Sequence, residues 1–199
     1  MQDIDFWFDF SSGYAYFAAL AIEDVAARHG RSVRWRPYML GTAFKVTGAT
    51  GLSSTPLKRD YAQRDWARLA RLLDVPFAPP ANHPIIALPA TRAFYWLGQE
   101  RPEVAPRLAR RVFDAYYGDG ADLSDPGRVA GLAVALEVDE AALLDGLQSD
   151  AIKAVAKARS EEAITKGVFG SPFFIVDGEP FWGWDRLPML EDRLSRGGW

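Results

Sequence analysis

The sequence predicts an α/β fold in which a strand–helix–strand opening and a strand–strand–helix ending enclose a long helical middle. Three observations carry this prediction. Ile4, Phe6, Phe8 and Phe10 recur with the period of two that marks a strand. Near the other end, the apolar run Phe173 to Val176 is followed by Asp177-Gly178, a hairpin turn signal. Between them, from about Thr55 to Lys166, the apolar spacing is helical.

The elements follow in order. In the first strand Asp3, Asp5, Trp7 and Asp9 alternate with the apolar set, and Ser11-Ser12-Gly13 punctuates it. Tyr14 to Arg28 is rich in alanine and aromatics, with acids only at Glu23 and Asp24; it reads as a helix with a buried first half, ending at Gly30. Val33 to Tyr38 is a second strand, stopped by Pro37. In the middle, Leu57, Tyr61, Leu69 and Leu73 mark one helix face, Ala93, Phe94 and Leu97 another, and Leu108, Val112 and Tyr116 a third. Asp125-Pro126 is an N-cap followed by proline at the first helical position, and Asp139 caps a short helix. Ser149 or Asp150 opens the last inserted helix, which runs to Gly167. Glu179 to Trp182 pairs back as the second hairpin arm, Gly183 breaks it, and Asp185 caps a final helix carrying Leu187, Leu190 and Leu194. The outer order, βαβ then ββα, is that of a thioredoxin-like domain. Residues 1–42 and 167–199 are expected to form it, with 43–166 as an all-helical insertion.

The bulk properties narrow the function. The chain has 199 residues, 49% of them hydrophobic, enough for one well-cored domain or a small domain with a large insertion. Acidic residues number 26 against 23 basic ones, interspersed, so no basic stripe suggests nucleic acid as a partner. No uncharged apolar run is long enough to span a bilayer. Met1-Gln2-Asp3-Ile4-Asp5 carries acids where a secretory leader needs bases, so a cytoplasmic location is expected. There is no cysteine, which excludes a disulfide framework, a thiolate metal site and a protein-borne thiol nucleophile. The two histidines lack zinc-site spacing. His29 reads as a solvent-facing residue near a helix end, and His83, before Pro84, as a loop residue that could line a pocket.

Three segments can carry chemistry. The turn Phe10-Ser11-Ser12-Gly13-Tyr14 closes a strand and opens a helix, so free N–H groups and the positive helix end favour an anion there. A serine hydroxyl at that place can donate to a thiolate and hold it ionised. Serine is also a preferred N-cap, and local sequence alone favours that plainer role. The second segment is Gly167-Val168-Phe169-Gly170-Ser171-Pro172-Phe173, where a proline enters a strand after a glycine-bearing loop. A cis bond would turn the preceding backbone outward as a short edge for a peptide; a trans proline at a strand start is the commoner alternative. The third is Trp182-Gly183-Trp184-Asp185-Arg186, where Asp185 can take an ammonium and the free N–H groups a carboxylate; the alternative is a plain N-cap.

Taken together, these segments resemble a known family. Phe8-Asp9-Phe10-Ser11-Ser12-Gly13-Tyr14-Ala15-Tyr16 resembles the opening of the group that includes 2-hydroxychromene-2-carboxylate isomerases and kappa-class glutathione transferases, which have a DsbA-like thioredoxin fold. Gly167 to Pro172 resembles its cis-proline loop, and Trp182 to Leu187 its C-terminal glutathione-binding turn. Pro56 to Tyr61, followed by Asp65, Arg68 and Ala70, looks like its first inserted helix. The resemblance implies that Ser12 stabilises the thiolate of glutathione. It implies that Ser171, before Pro172, pairs through its backbone with the cysteinyl part, and that Trp184 and Asp185 hold the γ-glutamyl end. Gly13 stands where the family has proline, which is expected to loosen the helix start. The family's Pro-x-Asn-Ser segment reads Pro84-Ile85-Ile86-Ala87, so its polar side chains are gone. The asparagine often found before the first inserted helix has no match in Gly48-Ala49-Thr50-Gly51.

The activity so implied is a glutathione-dependent isomerisation of a small aromatic acid, 2-hydroxychromene-2-carboxylate to trans-o-hydroxybenzylidenepyruvate, in aromatic-compound degradation. Glutathione would supply the thiol that the chain lacks. Phe44, Trp66, Tyr95 and Trp96 could build an apolar pocket, or be ordinary core. The alternatives are a kappa-like glutathione transferase and a non-catalytic thioredoxin-like binding module. Dithiol–disulfide chemistry is excluded, because Ser12 and Ala15 stand where such enzymes have cysteines. Related proteins imply a homodimer.

Overall fold

In the computed structural model, which describes residues 3–199, the two ends of the chain build one mixed sheet. Its strands are β1 (Ile4–Phe8), β2 (Val33–Pro37), β3 (Phe173–Val176) and β4 (Glu179–Trp182), in the order β2-β1-β3-β4. β1 pairs parallel with β2 and antiparallel with β3, and β3 pairs antiparallel with β4. The parallel step needs a crossover, which α1 (Gly13–Arg28) supplies. The β3–β4 turn is Asp177-Gly178, both at positive φ as a two-residue hairpin requires. The α/β class and the outer element order are those expected. Met1 and Gln2, part of the stretch read for a leader, lie outside the described residues.

Every residue of β1 is buried, although the sequence alternates. The reason is that both faces of the sheet are covered. Phe6 and Phe8 face one core, against Trp35, Phe113 and Phe174. Trp7 points the other way, into a second cluster with Tyr38, Ala43, Ala163, Val168 and Phe173. Asp5 shares that second face and is neutralised by Arg34 and Arg36. Each large apolar side chain buried here contributes about 1.5–3 kcal/mol.

The helices between β2 and β3 are α2 (Leu40–Thr47), α3 (Lys58–Leu73), α4 (Leu88–Glu100), α5 (Ala105–Phe113), α6 (Pro126–Val134), α7 (Glu140–Gln148) and α8 (Asp150–Thr165). A single π turn, Asp114–Gly118, extends α5, and α9 (Leu187–Arg196) closes the chain. The larger core runs without a break from the sheet into this helical block. Asp125, Asp139 and Ser149 cap α6, α7 and α8 by accepting backbone N–H bonds, as expected.

One helix face differs from its sequence reading. Leu57 precedes α3 at φ 67° and is 87% exposed, and Tyr61 is exposed too. α3 instead buries Ala62, Trp66 and Ala70, so its small residues and one indole meet α1. His29 also differs: it is the half-buried C-cap residue of α1, with Nε2 3.5 Å from Glu191. No helix among the described residues is long and apolar enough to cross a membrane.

Candidate active site

The end of β1, the start of α1, the loop before β3 and the turn after β4 converge. Asp9 is the hub. Its backbone N–H donates to Ser171 Oγ at 2.8 Å, and its carbonyl accepts from Ser12 N–H at 3.0 Å. Its carboxylate accepts from the N–H groups of Ser11 at 2.8 Å and Leu40 at 2.9 Å. Burial raises the Asp9 carboxyl pKa, against the lowering effect of these bonds. Asp9 thus ties the Ser11–Ser12 turn to the 171–172 loop and to α2. The sequence reading gave it no role, because it resembled one more polar residue on an alternating strand.

Ser12 is the N-cap of α1. Its Oγ accepts from Ala15 N–H at 3.3 Å and donates to the Ser171 carbonyl at 2.7 Å. The Ser171–Pro172 peptide is cis. Ser12, Ser171 and Pro172 are therefore brought together. Among the described residues nothing accepts from the N–H groups of Gly13 and Tyr14, which open the 16-residue helix α1. Ser11 has a separate job: its hydroxyl donates to the Ile85 carbonyl and pins the 83–87 loop beside the turn.

Gly13 has a packing role at this start. A Cβ on Gly13 would lie 2.6 Å from the Trp66 indole, so the missing side chain makes room for Trp66 to pack on the first turn of α1. Trp66 is 3% exposed, and its Nε1 has no partner among the described residues. The other aromatics named for a pocket divide. Tyr95 donates to the Pro37 carbonyl in the core, Trp96 packs on Gly146 between helices, and Phe44 is half-buried beside Gly51.

The turn after β4 joins the 171–172 loop through a bond from Gly183 N–H to the Pro172 carbonyl, at 3.1 Å. Trp182 lies over Gly170, and Trp184 is half-buried with its ring 6.3 Å from Phe17. Asp185 is not the cap of α9. A 3-10 turn, Trp184–Arg186, intervenes, and Arg186 holds the cap position without a side-chain bond. The Asp185 carboxylate is 70% exposed and pairs with Arg186 at 2.8 Å. It also lies close enough to Tyr14 to act on it. Burial pushes the Tyr14 phenol pKa up, assisted by its 2.8 Å bond to Asp65 and by the charges of Asp65 and Asp185. The carboxylates of Asp65 and Asp185 thus both act on Tyr14, in the first turn of α1.

Comparison with known proteins places the chain in a family. The profile of the DSBA-like thioredoxin domain matches residues 3–195. A 2-hydroxychromene-2-carboxylate isomerase of Sphingobium xenophagum is 32% identical over 195 residues, covering 97% of this chain and 98% of that protein. A glutathione S-transferase kappa 2 of Caenorhabditis elegans is 26% identical over 207 residues, covering 96% and 91%. The structure of a 2-hydroxychromene-2-carboxylate isomerase superimposes with a TM-score of 0.89 at 28% identity, covering 98% of this chain and 95% of that one.

Proposed function

The chain belongs to the DSBA-like thioredoxin family, in the group of 2-hydroxychromene-2-carboxylate isomerases and kappa-class glutathione transferases, and from that premise we propose a cytoplasmic enzyme that uses glutathione to isomerise a small aromatic acid. The substrate pair is 2-hydroxychromene-2-carboxylate and trans-o-hydroxybenzylidenepyruvate, or a close analogue. One observation carries the reading: in a chain without cysteine, the Ser12 hydroxyl stands at a helix start with the Ser171 carbonyl as its partner.

The residues fit glutathione. When bound, it supplies a thiolate that adds reversibly to a conjugated double bond, so that rotation about that bond becomes possible. The protein's part is to hold the sulfur ionised and the tripeptide in place. The Ser12 hydroxyl and the free N–H groups of Gly13 and Tyr14 favour negative charge. A hydroxyl has one proton, so Ser12 leaves the Ser171 carbonyl in order to donate to sulfur. That carbonyl is then open to the cysteinyl N–H. Asp185 takes the γ-glutamyl ammonium, and the Trp184–Asp185 backbone meets its carboxylate. No net oxidation is involved, in keeping with the absence of a protein thiol.

The test is product analysis. Incubated with 2-hydroxychromene-2-carboxylate, the protein should form the benzylidenepyruvate only when glutathione is present, with the free thiol recovered in full. Thiol consumed into a stable conjugate would assign transferase activity, the reading that similarity to the kappa-class enzyme favours. Absence of glutathione binding would leave only a binding module and overturn the proposal.

A further inference from the structure

Residues 48–57 join α2 to α3, and none of them is buried. They keep their shape by bonds among themselves. Thr55 Oγ1 donates to the Gly51 carbonyl at 2.9 Å, so the bond between the Thr50 and Thr55 hydroxyls, also 2.9 Å, has Thr50 as its donor. The N–H groups of Ser54 and Thr55 close the 3-10 turn Leu52–Ser54 by donating to the Gly51 and Leu52 carbonyls. A loop that holds itself together in this way can move as one piece.

Both ends of the segment stand at positive φ. Gly48 ends α2 at φ 72°, which glycine adopts freely. Leu57 has no such freedom. At φ 67° and ψ −44°, with the Lys58 N–H donating to the Pro56 carbonyl at 2.8 Å, it makes a γ-turn of the strained hand. Its side chain is 87% exposed, so no packing accounts for the strain. Bonds from Ser53 and Arg59 hold it. Ser53 Oγ lies 2.8 Å from His83 Nε2. Arg59 donates from Nε to the Ser53 carbonyl at 2.7 Å and from its backbone N–H to the Thr55 carbonyl at 3.0 Å.

His83 is itself fixed beside the serine turn. Its Nδ1 lies 2.9 Å from the Tyr116 hydroxyl, and its ring centroid is 5.5 Å from that of Trp66, the indole that packs on Gly13. Two residues on, the Ile85 carbonyl accepts from the Ser11 hydroxyl. We propose that residues 48–57 are a lid of the glutathione site, shut in this structure, hinged at Gly48 and Leu57 and latched by Ser53 on His83. The inference rests on the proposed glutathione site. Strain at Leu57 favours the open lid and the latch favours the shut one, and glutathione enters and leaves when the latch lets go.

Hydrogen exchange of the free protein, read on peptides spanning 48–57, tests hinge and latch without a ligand. Ser53→Ala cuts the latch and should speed exchange there by about threefold or more. Leu57→Gly relieves the strained turn and should slow it by about threefold or more. Both positions lie at the surface or half-buried, so both variants should fold. Exchange that is unchanged in both variants, or that moves the same way in both, would overturn the hinge and latch. Bound glutathione should slow exchange of the same peptides in wild type by about tenfold. Its release, followed by stopped flow, should be about threefold faster in Ser53→Ala and about threefold slower in Leu57→Gly. Equal release rates in all three proteins would show a loop that opens but gates nothing, and would overturn the lid. Failure of wild type to bind glutathione would instead overturn the glutathione reading, an outcome that the ligand-free exchange keeps separate.

Discussion

The Ser12 hydroxyl donates to the Ser171 carbonyl at 2.7 Å, across 159 residues of sequence, and joins the start of α1 to the loop that enters β3. The Ser171 side chain returns the tie by accepting from Asp9 N–H at 2.8 Å. The Ser12 proton is therefore already committed in the free protein. Stabilising a thiolate there requires an exchange of partners, in which Ser171 gains a ligand N–H as Ser12 turns to sulfur. Binding and thiol ionisation are one linked step on this account.

Gly13 and Trp66 should behave as a coupled pair. Gly13→Ala forces a methyl group into the indole, since the Cβ would lie 2.6 Å from it, and should cost about 1–3 kcal/mol. Trp66→Leu also destabilises by leaving a cavity. The double variant should be more stable than the sum of the two losses by at least about 0.5 kcal/mol, read from denaturant midpoints.

Asp9→Asn should destabilise the protein by about 1–3 kcal/mol. The carboxylate accepts from both Ser11 and Leu40, whereas asparagine offers one oxygen and sets its amide N–H against the other donor. Thermal melting checks the loss. Proteolysis near α2 should accelerate in parallel, because Asp9 is what ties that helix start to the serine turn.

Asp185→Asn separates ligand binding from folding. Because Arg186, not Asp185, holds the cap position of α9, the melting temperature without ligand should not move. Glutathione affinity should fall by about three- to tenfold, a range set by solvent screening of an exposed carboxylate. Calorimetry measures it. Equal binding would show that Asp185 does not hold the ammonium.

His83 should make the protein acid-sensitive. Burial pushes its pKa from 6.5 down to about 4. Between those values the unfolded chain binds more protons than the folded one, so stability rises with pH across that window and is lost on acidification below about 6.5. The contribution is on the order of 1 kcal/mol once solvent screening is allowed for. Melting curves from pH 7 to pH 4 should show that part of the slope vanish in His83→Phe.

Local rules carried the ends of the molecule and its caps. Asp125, Asp139 and Ser149 sit where a short polar side chain meets free N–H groups, which sequence displays directly. α3 was less legible, because what it buries is two alanines and one tryptophan, while Leu57 and Tyr61 face solvent. Asp185 follows a hairpin arm and precedes a leucine-bearing helix, yet it lies inside a 3-10 turn ahead of that helix, and no residue type announces such a turn. The alternation of β1 concealed that both faces are covered, which depends on where α2 and α8 pack. Ser53, His83 and Tyr116 share no spacing; only the packing of three separate segments brings them together.

The account turns on Ser12, and the thiol pKa of bound glutathione tests it most directly. Titration of the thiolate absorbance of the complex should give a pKa well below that of free glutathione in wild type. In Ser12→Ala it should rise by about one unit or more, equivalent to about 1.4 kcal/mol of lost stabilisation. The loss of the cap should add a folding cost of only about 0.5–2 kcal/mol. The same low pKa in Ser12→Ala and wild type, with glutathione bound equally in both, would show that Ser12 serves only as a helix cap and would contradict the account.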